Sequence, residues 1–155
     1  MAERTLIILK PDAVQRGLVG SIIARFEQKG FQLIAAKFMK ISKALAQKHY
    51  AVHKGKPFFE RAVQYLSSSP VLVMVWQADD VIKMSRRLMG ETFGTEAQPG
   101  TIRGDFGCSH GFNLIHGSDS PASAEVEIPL YFKPEELIDY PLAQAHWLYG
   151  PPDEA

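Results

Sequence analysis

The segment Asn113-Leu114-Ile115-His116-Gly117-Ser118-Asp119 holds the residue types that covalent chemistry needs. A histidine ends a short apolar run. The glycine after it permits a sharp turn and the approach of something bulky. A histidine held by a carboxylate is a candidate nucleophile or base, because the carboxylate fixes its tautomer and ring orientation. Glu127 lies on a helix that Ser120 caps and Pro121 starts, and that helix can bring it back to His116. A strand-ending histidine bonded to its own capping loop is the other reading of these residues alone.

The cations favour the chemical reading. Lys10 ends the first apolar run, Arg86 sits in a helical stretch and Arg103 in a long loop. Strand ends and loops can converge on one face of a small sheet. Converging cations in a chain with 17 basic and 17 acidic residues point to a small anionic ligand rather than a polyanion surface. The planar fork of arginine suits phosphate. Phe58 is free to stack on a nucleobase, whereas Phe59 begins a helical stripe with Ala62, Val63 and Leu66 and belongs to the core.

Other patterns carry less. Gly107-Cys108-Ser109-His110-Gly111 matches a nucleophile elbow without the strand and helix that an elbow requires. Asp105-Phe106-Gly107 matches a protein-kinase metal triplet without the other kinase elements. His49 and His53 sit four apart on one helix, with no third ligand at a plausible spacing, and read as a partly exposed helix end. No phosphate-binding loop of the GxxxxGKS/T type is present.

These residues need elements to position them. At 155 residues the chain is expected to be one domain over 1–155, with 150–155 an extended tail. Cys108 is the single cysteine, so no intrachain disulfide forms and a reducing compartment is expected. The N-terminus lacks the pattern of a secretory signal, and the longest apolar run, Val71 to Trp76, is too short to span a membrane. Cytoplasmic localisation is expected.

Strands are predicted at Thr5–Leu9, Phe31–Ile41, Val71–Trp76 and Asn113–His116. Helices are predicted around Leu18–Phe26 (ended by Gly30), after Ser42, over Phe59–Leu66, and over Val81–Met89, capped by Asp79 or Asp80. The last runs from Pro121 past Glu127. Residues 91–112 read as a long structured loop. The order suggests a sheet with helices packed on it, and a ferredoxin-like arrangement fits.

The same residues resemble the nucleoside diphosphate kinase family. The resemblance runs from about Glu3 to Tyr149. It includes Lys10-Pro11-Asp12, Val14-Gln15-Arg16-Gly17, Arg25-Phe26-Glu27, His49-Tyr50, Pro57-Phe58-Phe59, Gly90-Glu91-Thr92, Pro99 to Asp105, and Asn113-x-x-His116-Gly117-Ser118-Asp119.

The resemblance implies an α+β fold: a ferredoxin-like βαββαβ sandwich, with helices on a four-stranded antiparallel sheet. It implies an enzyme that moves the γ-phosphoryl group of a nucleoside triphosphate, usually ATP, to a nucleoside diphosphate. The route is ping-pong, through a phosphohistidine on Nδ1 of His116. Glu127 would orient the ring, with Ser118 assisting. Lys10 and Asn113 would hold ribose and phosphates, Tyr50, Arg86, Thr92 and Arg103 the phosphates, and Phe58 the base. Mg²⁺ would bridge substrate phosphates, with Asp119 reaching it through water. The partners implied are nucleoside di- and triphosphates and further copies of the chain, as a homo-hexamer with a tetramer the alternative. Neither a membrane nor nucleic acid is required.

A non-catalytic nucleotide- or protein-binding scaffold of the same fold would show a damaged catalytic set, and this set is complete. Two departures from the family stand out. Phe93-Gly94 replaces an Asn-Pro common in the family, which predicts a looser loop at a subunit contact. Pro129 follows Glu127 closely, which predicts a kink or an end to that helix and a shift in the aim of Glu127.

Overall fold

The computed structural model describes residues 2–150. Its centre is strand β1 (Glu3–Leu9), where Leu6, Ile7, Ile8 and Leu9 are all fully buried. A strand apolar on both faces must be covered on both, and β1 lies between two neighbours in a four-stranded sheet of order β2-β3-β1-β4. The others are β2 (Gln32–Met39), β3 (Val71–Ala78) and β4 (Ile115–Gly117). All pairings are antiparallel, with Ile7 opposite Met74 and Ile8 opposite His116. This is the expected ferredoxin-like α+β sandwich.

The helices are α1 (Pro11–Gln15), α2 (Val19–Gln28), α3 (Lys43–His49), α4 (Phe59–Leu66), α5 (Val81–Met89), α6 (Ile102–Phe106), α7 (Pro121–Tyr131) and α8 (Ala145–Leu148). The apolar stripe of α2 buries Ile22 and Phe26, and the Phe26 ring stacks on Trp76 of β3 at 5.5 Å. Ser42 caps α3 and Ser120 caps α7, each through its hydroxyl. Gly30 ends α2 at φ +97°.

Several local expectations are corrected. Residues 91–112 are not loop throughout, since Thr101 caps α6 by accepting from Gly104 N–H. Asp80 occupies the N-cap of α5 in a left-handed conformation, φ 54°, and makes no side-chain cap. The acceptor comes instead from β1, where Glu3 Oε1 takes the Ile82 N–H at 2.9 Å. The last strand begins at Ile115 rather than Asn113, because Leu114 adopts φ +71° and cannot join a ladder.

The two departures also resolve differently. Helix α7 runs through Pro129 to Tyr131. Glu125, whose carbonyl loses its partner to Pro129, lies with it on an exposed face, where water can take that carbonyl. The 93–94 segment is packed rather than loose. Gly94 is buried, and a Cβ there would lie 2.5 Å from the carbonyl oxygen of Gly107. Phe93 stacks on His110 at 4.3 Å. The expected tail lies outside the described residues except for Gly150.

Candidate active site

The pairing of β4 with β1 sets the position of His116, opposite Ile8. Beyond it, Ser118 continues the contact by side chain. Its Oγ accepts from Leu6 N–H at 3.1 Å and its N–H donates to Leu6 O at 3.1 Å. Fully buried, Ser118 also turns its hydroxyl to Glu127 Oε1 at 3.4 Å. Helix α7 packs on β1 and aims Glu127 at the histidine, whose Nε2 forms a short hydrogen bond with Glu127 Oε1.

That bond decides the chemistry of the ring. Burial, reinforced by the cations Lys10, Arg86 and Arg103, holds His116 well below the ordinary histidine range and so neutral at pH 7. Burial also raises Glu127. A neutral imidazole that gives its Nε2–H to a carboxylate keeps an unshared pair on Nδ1. Gly117 serves a purpose other than a turn. It is part of β4, and a Cβ there would lie 2.6 Å from the sulfur of Met89, so its absence lets α5 approach the strand. Arg86 of α5 thereby donates to the Gly117 carbonyl at 3.1 Å.

A second cluster lies behind the histidine. Lys10, almost fully buried, donates from Nζ to Asn113 Oδ1 at 2.7 Å. Burial, then the Arg103 charge, pushes its pKa down to about 7. Asn113 Nδ2 reaches the Thr92 carbonyl at 3.3 Å, which ties the exposed 91–92 turn to this cluster. Arg103 is 4% exposed and donates to three carbonyls, those of Asn113, Gly90 and Ile115. It straps the end of α5 to the β4 approach as well as lending positive charge.

The cleft over His116 has a volume of about 480 Å³ and is walled by Tyr50, Arg86, Asp119 and Glu127 among others. That is ample for the phosphates of a nucleotide. Phe58 is 48% exposed and stands beyond this wall, its ring 5.2 Å from that of His53, so one face of the region carries an open aromatic platform. The Asp119 carboxylate is exposed near the mouth, and the Ser123 hydroxyl, donating to it at 2.6 Å, holds it below the usual carboxylate range.

The sequence-derived residues therefore divide in three. His116, Glu127, Arg86, Tyr50 and Asp119 share the cleft, with Ser118 bonded to Glu127 beneath it. Lys10, Asn113, Arg103 and Thr92 form one bonded cluster beside it. Phe58 stands apart on the outer side.

Three contributors were not anticipated. Asp12 accepts the Leu114 N–H at 3.1 Å and the Tyr65 hydroxyl by a short hydrogen bond. Its place in Lys10-Pro11-Asp12 was the available signal, whereas nothing in the sequence singles out Tyr65. His49 is not a partly exposed helix end. It is buried, its ring set edge-on to that of His116 at 4.4 Å, with Nδ1 hydrogen-bonded to the Tyr131 hydroxyl at 3.0 Å.

Comparison with known proteins agrees with this geometry. A family model described as "Nucleoside diphosphate kinase" matches residues 3–137. A nucleoside diphosphate kinase of Desulfitobacterium hafniense is 60% identical over 146 residues, covering 94% of this chain and 98% of that one. Nucleoside diphosphate kinase B of Bos taurus is 55% identical over 148 residues, covering 96% and 97%. Among solved structures, a halophilic nucleoside diphosphate kinase from Halobacterium salinarum in complex with CDP superposes with a TM-score of 0.94 at 47% identity, covering 97% of this chain and all of that one. A transition-state mimic of the Borrelia burgdorferi nucleoside-diphosphate kinase with bound vanadate and ADP gives 0.88 at 36% identity, covering 94% and 96%.

Proposed function

This chain belongs to the nucleoside diphosphate kinase family and moves the γ-phosphoryl group of a nucleoside triphosphate to a nucleoside diphosphate; we propose that the group travels on Nδ1 of its own His116. One observation carries the assignment to that atom: Glu127 engages Nε2 and leaves the other ring nitrogen with its lone pair. In the first half-reaction Nδ1 attacks the γ-phosphorus, the P–N bond forms, and the bond to the β–γ bridging oxygen breaks. The nucleoside diphosphate leaves with that electron pair. In the second half-reaction a terminal oxygen of another nucleoside diphosphate attacks the phosphohistidine and the P–N bond breaks. Glu127 stabilises the charge that the ring gains when phosphorylated, and Ser118 holds Glu127 in place.

Phosphoryl transfer asks a protein mainly for positioning and for cations around the moving charge. Arg86 at the cleft wall supplies charge directly. Lys10 and Arg103 supply it from the adjoining cluster, and Asn113 and Thr92 meet the same end of the nucleotide. Tyr50 lines the phosphate path, and Phe58 stacks the base. The family generally uses a divalent metal with its nucleotides. A magnesium ion fits here at Asp119, because a single exposed, ionised carboxylate suits an ion that keeps waters and takes most of its oxygens from phosphates. Bound with the nucleotide, it neutralises phosphate charge.

We infer further that 1–155 acts as one domain, in the cytoplasm, as a homo-oligomer with a hexamer the favoured form. Support comes from Phe38 on the edge strand β2, 65% exposed, and Trp147 of α8, 82% exposed, both large apolar side chains open on the single chain. Among the described residues no helix is long and apolar enough to cross a membrane.

The test is intact mass after brief incubation with Mg·ATP, alone and then with excess GDP. One acid-labile phosphoryl group should appear, leave as GTP, and be absent in His116→Ala. A phosphoryl group that persists in that variant overturns the assignment to His116.

A further inference from the structure

The ring of His49 has no part in the phosphoryl transfer described above, yet it lies against the nucleophile. One nitrogen of His49, one of His116 and a carboxylate oxygen of Glu127 all lie within 4.8 Å of one another. The geometry points to a second use of this cluster: His49, His116 and Glu127 form a binding site for a borderline-soft dication such as Zn²⁺, whose occupancy excludes phosphorylation of His116.

The donor set argues for the class of ion. Two imidazoles and one carboxylate are the ligands of many three-ligand zinc sites, which keep a fourth position open. Magnesium wants oxygen ligands and near-octahedral geometry, so this set does not suit it, and the nucleotide-borne metal near Asp119 is a separate matter. A tetrahedral ion with bonds of about 2.1 Å needs ligand atoms roughly 3.4 Å apart. From an outer separation of 4.8 Å the His49 ring must close by at most about 1.4 Å, while His116 Nε2 and Glu127 Oε1, now in a short hydrogen bond, move apart to admit the ion.

The surroundings are built for it as well. The Tyr131 hydroxyl takes Nδ1 of His49, which orients the ring and leaves Nε2 as the remaining ligand atom, in the manner of an outer-shell partner. Burial keeps both imidazoles unprotonated near neutrality, as metal ligands must be. The cleft wall includes all three residues, so an ion has a path in and an open fourth position for water. The nearby positive charges of Lys10, Arg86 and Arg103 weaken binding but leave the ligand geometry intact. Coordination at Nε2 shifts the ring proton, until then shared with Glu127, to Nδ1, whose lone pair is then lost; coordination at Nδ1 occupies that pair directly. Either way the ring loses the arrangement that makes it a nucleophile.

The ion-binding half of this inference stands on geometry alone. The exclusion half rests on the phosphohistidine reading above. The experiment titrates ZnCl₂ against a chromogenic competitor, using the nucleotide-free full chain in a Cys108→Ser background, since Cys108 is an exposed thiol and a soft ligand in its own right.

One ion per chain should bind. His49→Ala should weaken binding at least about tenfold. His49→Phe, which keeps a ring in the packing but no nitrogen, should weaken it as much, and His53→Ala should leave it unchanged. Zinc should also suppress phosphoenzyme formation with Mg·ATP, and a chelator added beneath excess magnesium should restore it. Absence of binding, or binding that survives both His49 variants, overturns the site. If zinc binds as expected but no phosphoenzyme ever forms, the site stands and the phosphohistidine reading falls. If the phosphoenzyme forms and zinc does not bind, the reverse holds.

Discussion

Asp12 accepts the backbone N–H of Leu114 at 3.1 Å across 102 residues of sequence, and Leu114 stands at φ +71°. A leucine in the left-handed region costs on the order of 1–3 kcal/mol and persists only where its surroundings hold it. The other Asp12 oxygen takes the Tyr65 hydroxyl, and the Leu114 carbonyl accepts from Lys10 N–H at 2.8 Å. The strained turn thus sits between two fixed elements, and its neighbour Asn113 meets the Lys10 ammonium as a result.

Asp12→Ala should therefore reach the site without touching substrate. It leaves a Tyr65 hydroxyl and a Leu114 amide without their acceptor, a loss of about 1–3 kcal/mol. Chemical denaturation should show that loss. Steady-state kinetics should show a raised KM for nucleotide with a smaller change in kcat, because Asn113 and Lys10 lose their placement. An unchanged KM would show that the turn holds its shape without Asp12.

Glu127→Ala removes the acceptor of the His116 Nε2 bond and frees the ring tautomer. A hydrogen bond to a charged group contributes about 1.5–3 kcal/mol, so the rate of phosphoenzyme formation should fall roughly tenfold to a hundredfold. Rapid-quench measurement with Mg·ATP checks this, and Glu127→Gln should recover part of the rate. The pH behaviour follows from the lowered pKa values of His116 and His49. Unfolded, each binds a proton near pH 6.5, and folded it does not until well below that. The contribution of these groups to stability is thus present above pH 6.5 and is lost as pH falls toward the folded values. The ring resonances of His116 in the free protein should stay constant from pH 8 to pH 5, and denaturant midpoints should fall over the same interval.

Lys10 gives a signal of opposite use. Its pKa near 7 in the free protein means that most of the population is uncharged at pH 8. Phosphates placed beside it favour the ammonium, so nucleotide binding should take up protons between about pH 7 and 9. Calorimetry of nucleoside diphosphate binding in buffers of different ionisation enthalpy measures that uptake. Lys10→Arg, charged throughout, should abolish it. For stability the sign is also set. The unfolded lysine keeps its proton to about 10.4 and the folded one does not, so this group makes the fold more stable as pH rises between those values.

Gly94→Ala tests the loop. The added methyl would meet the Gly107 backbone at 2.5 Å, and backbone held by α6 has little room to give. A destabilisation of about 1–3 kcal/mol is expected, read as a lower denaturant midpoint. A neutral result would mean that the 93–94 segment moves freely from Gly107.

What could be read from the chain was what depends on near neighbours. The β1 and β3 runs, the stripe of α2, the Ser42 and Ser120 caps and the Gly30 stop are all written within a few residues of where they act. The segment from Asn113 to Asp119 carries its chemistry in residue type, so His116, Ser118, Asp119 and Asn113 stood out without any coordinates. Tertiary structure decided the rest. Tyr131 and His49 are 82 residues apart, and Asp12 and Tyr65 are 53 apart. Such contacts arise only when elements distant in sequence pack against one another, as α3 does against α7, and no local periodicity encodes them. The same holds for the cap that Glu3 gives to α5 across 79 residues, and for Arg103, whose type suggested a phosphate while its burial made it a strap between three carbonyls. Sequence identifies which groups can react. Which nitrogen of His116 is left free depends on the docking of α7 against β1, because hydrogen bonds act over about 3 Å and only the folded chain brings Glu127 within that reach.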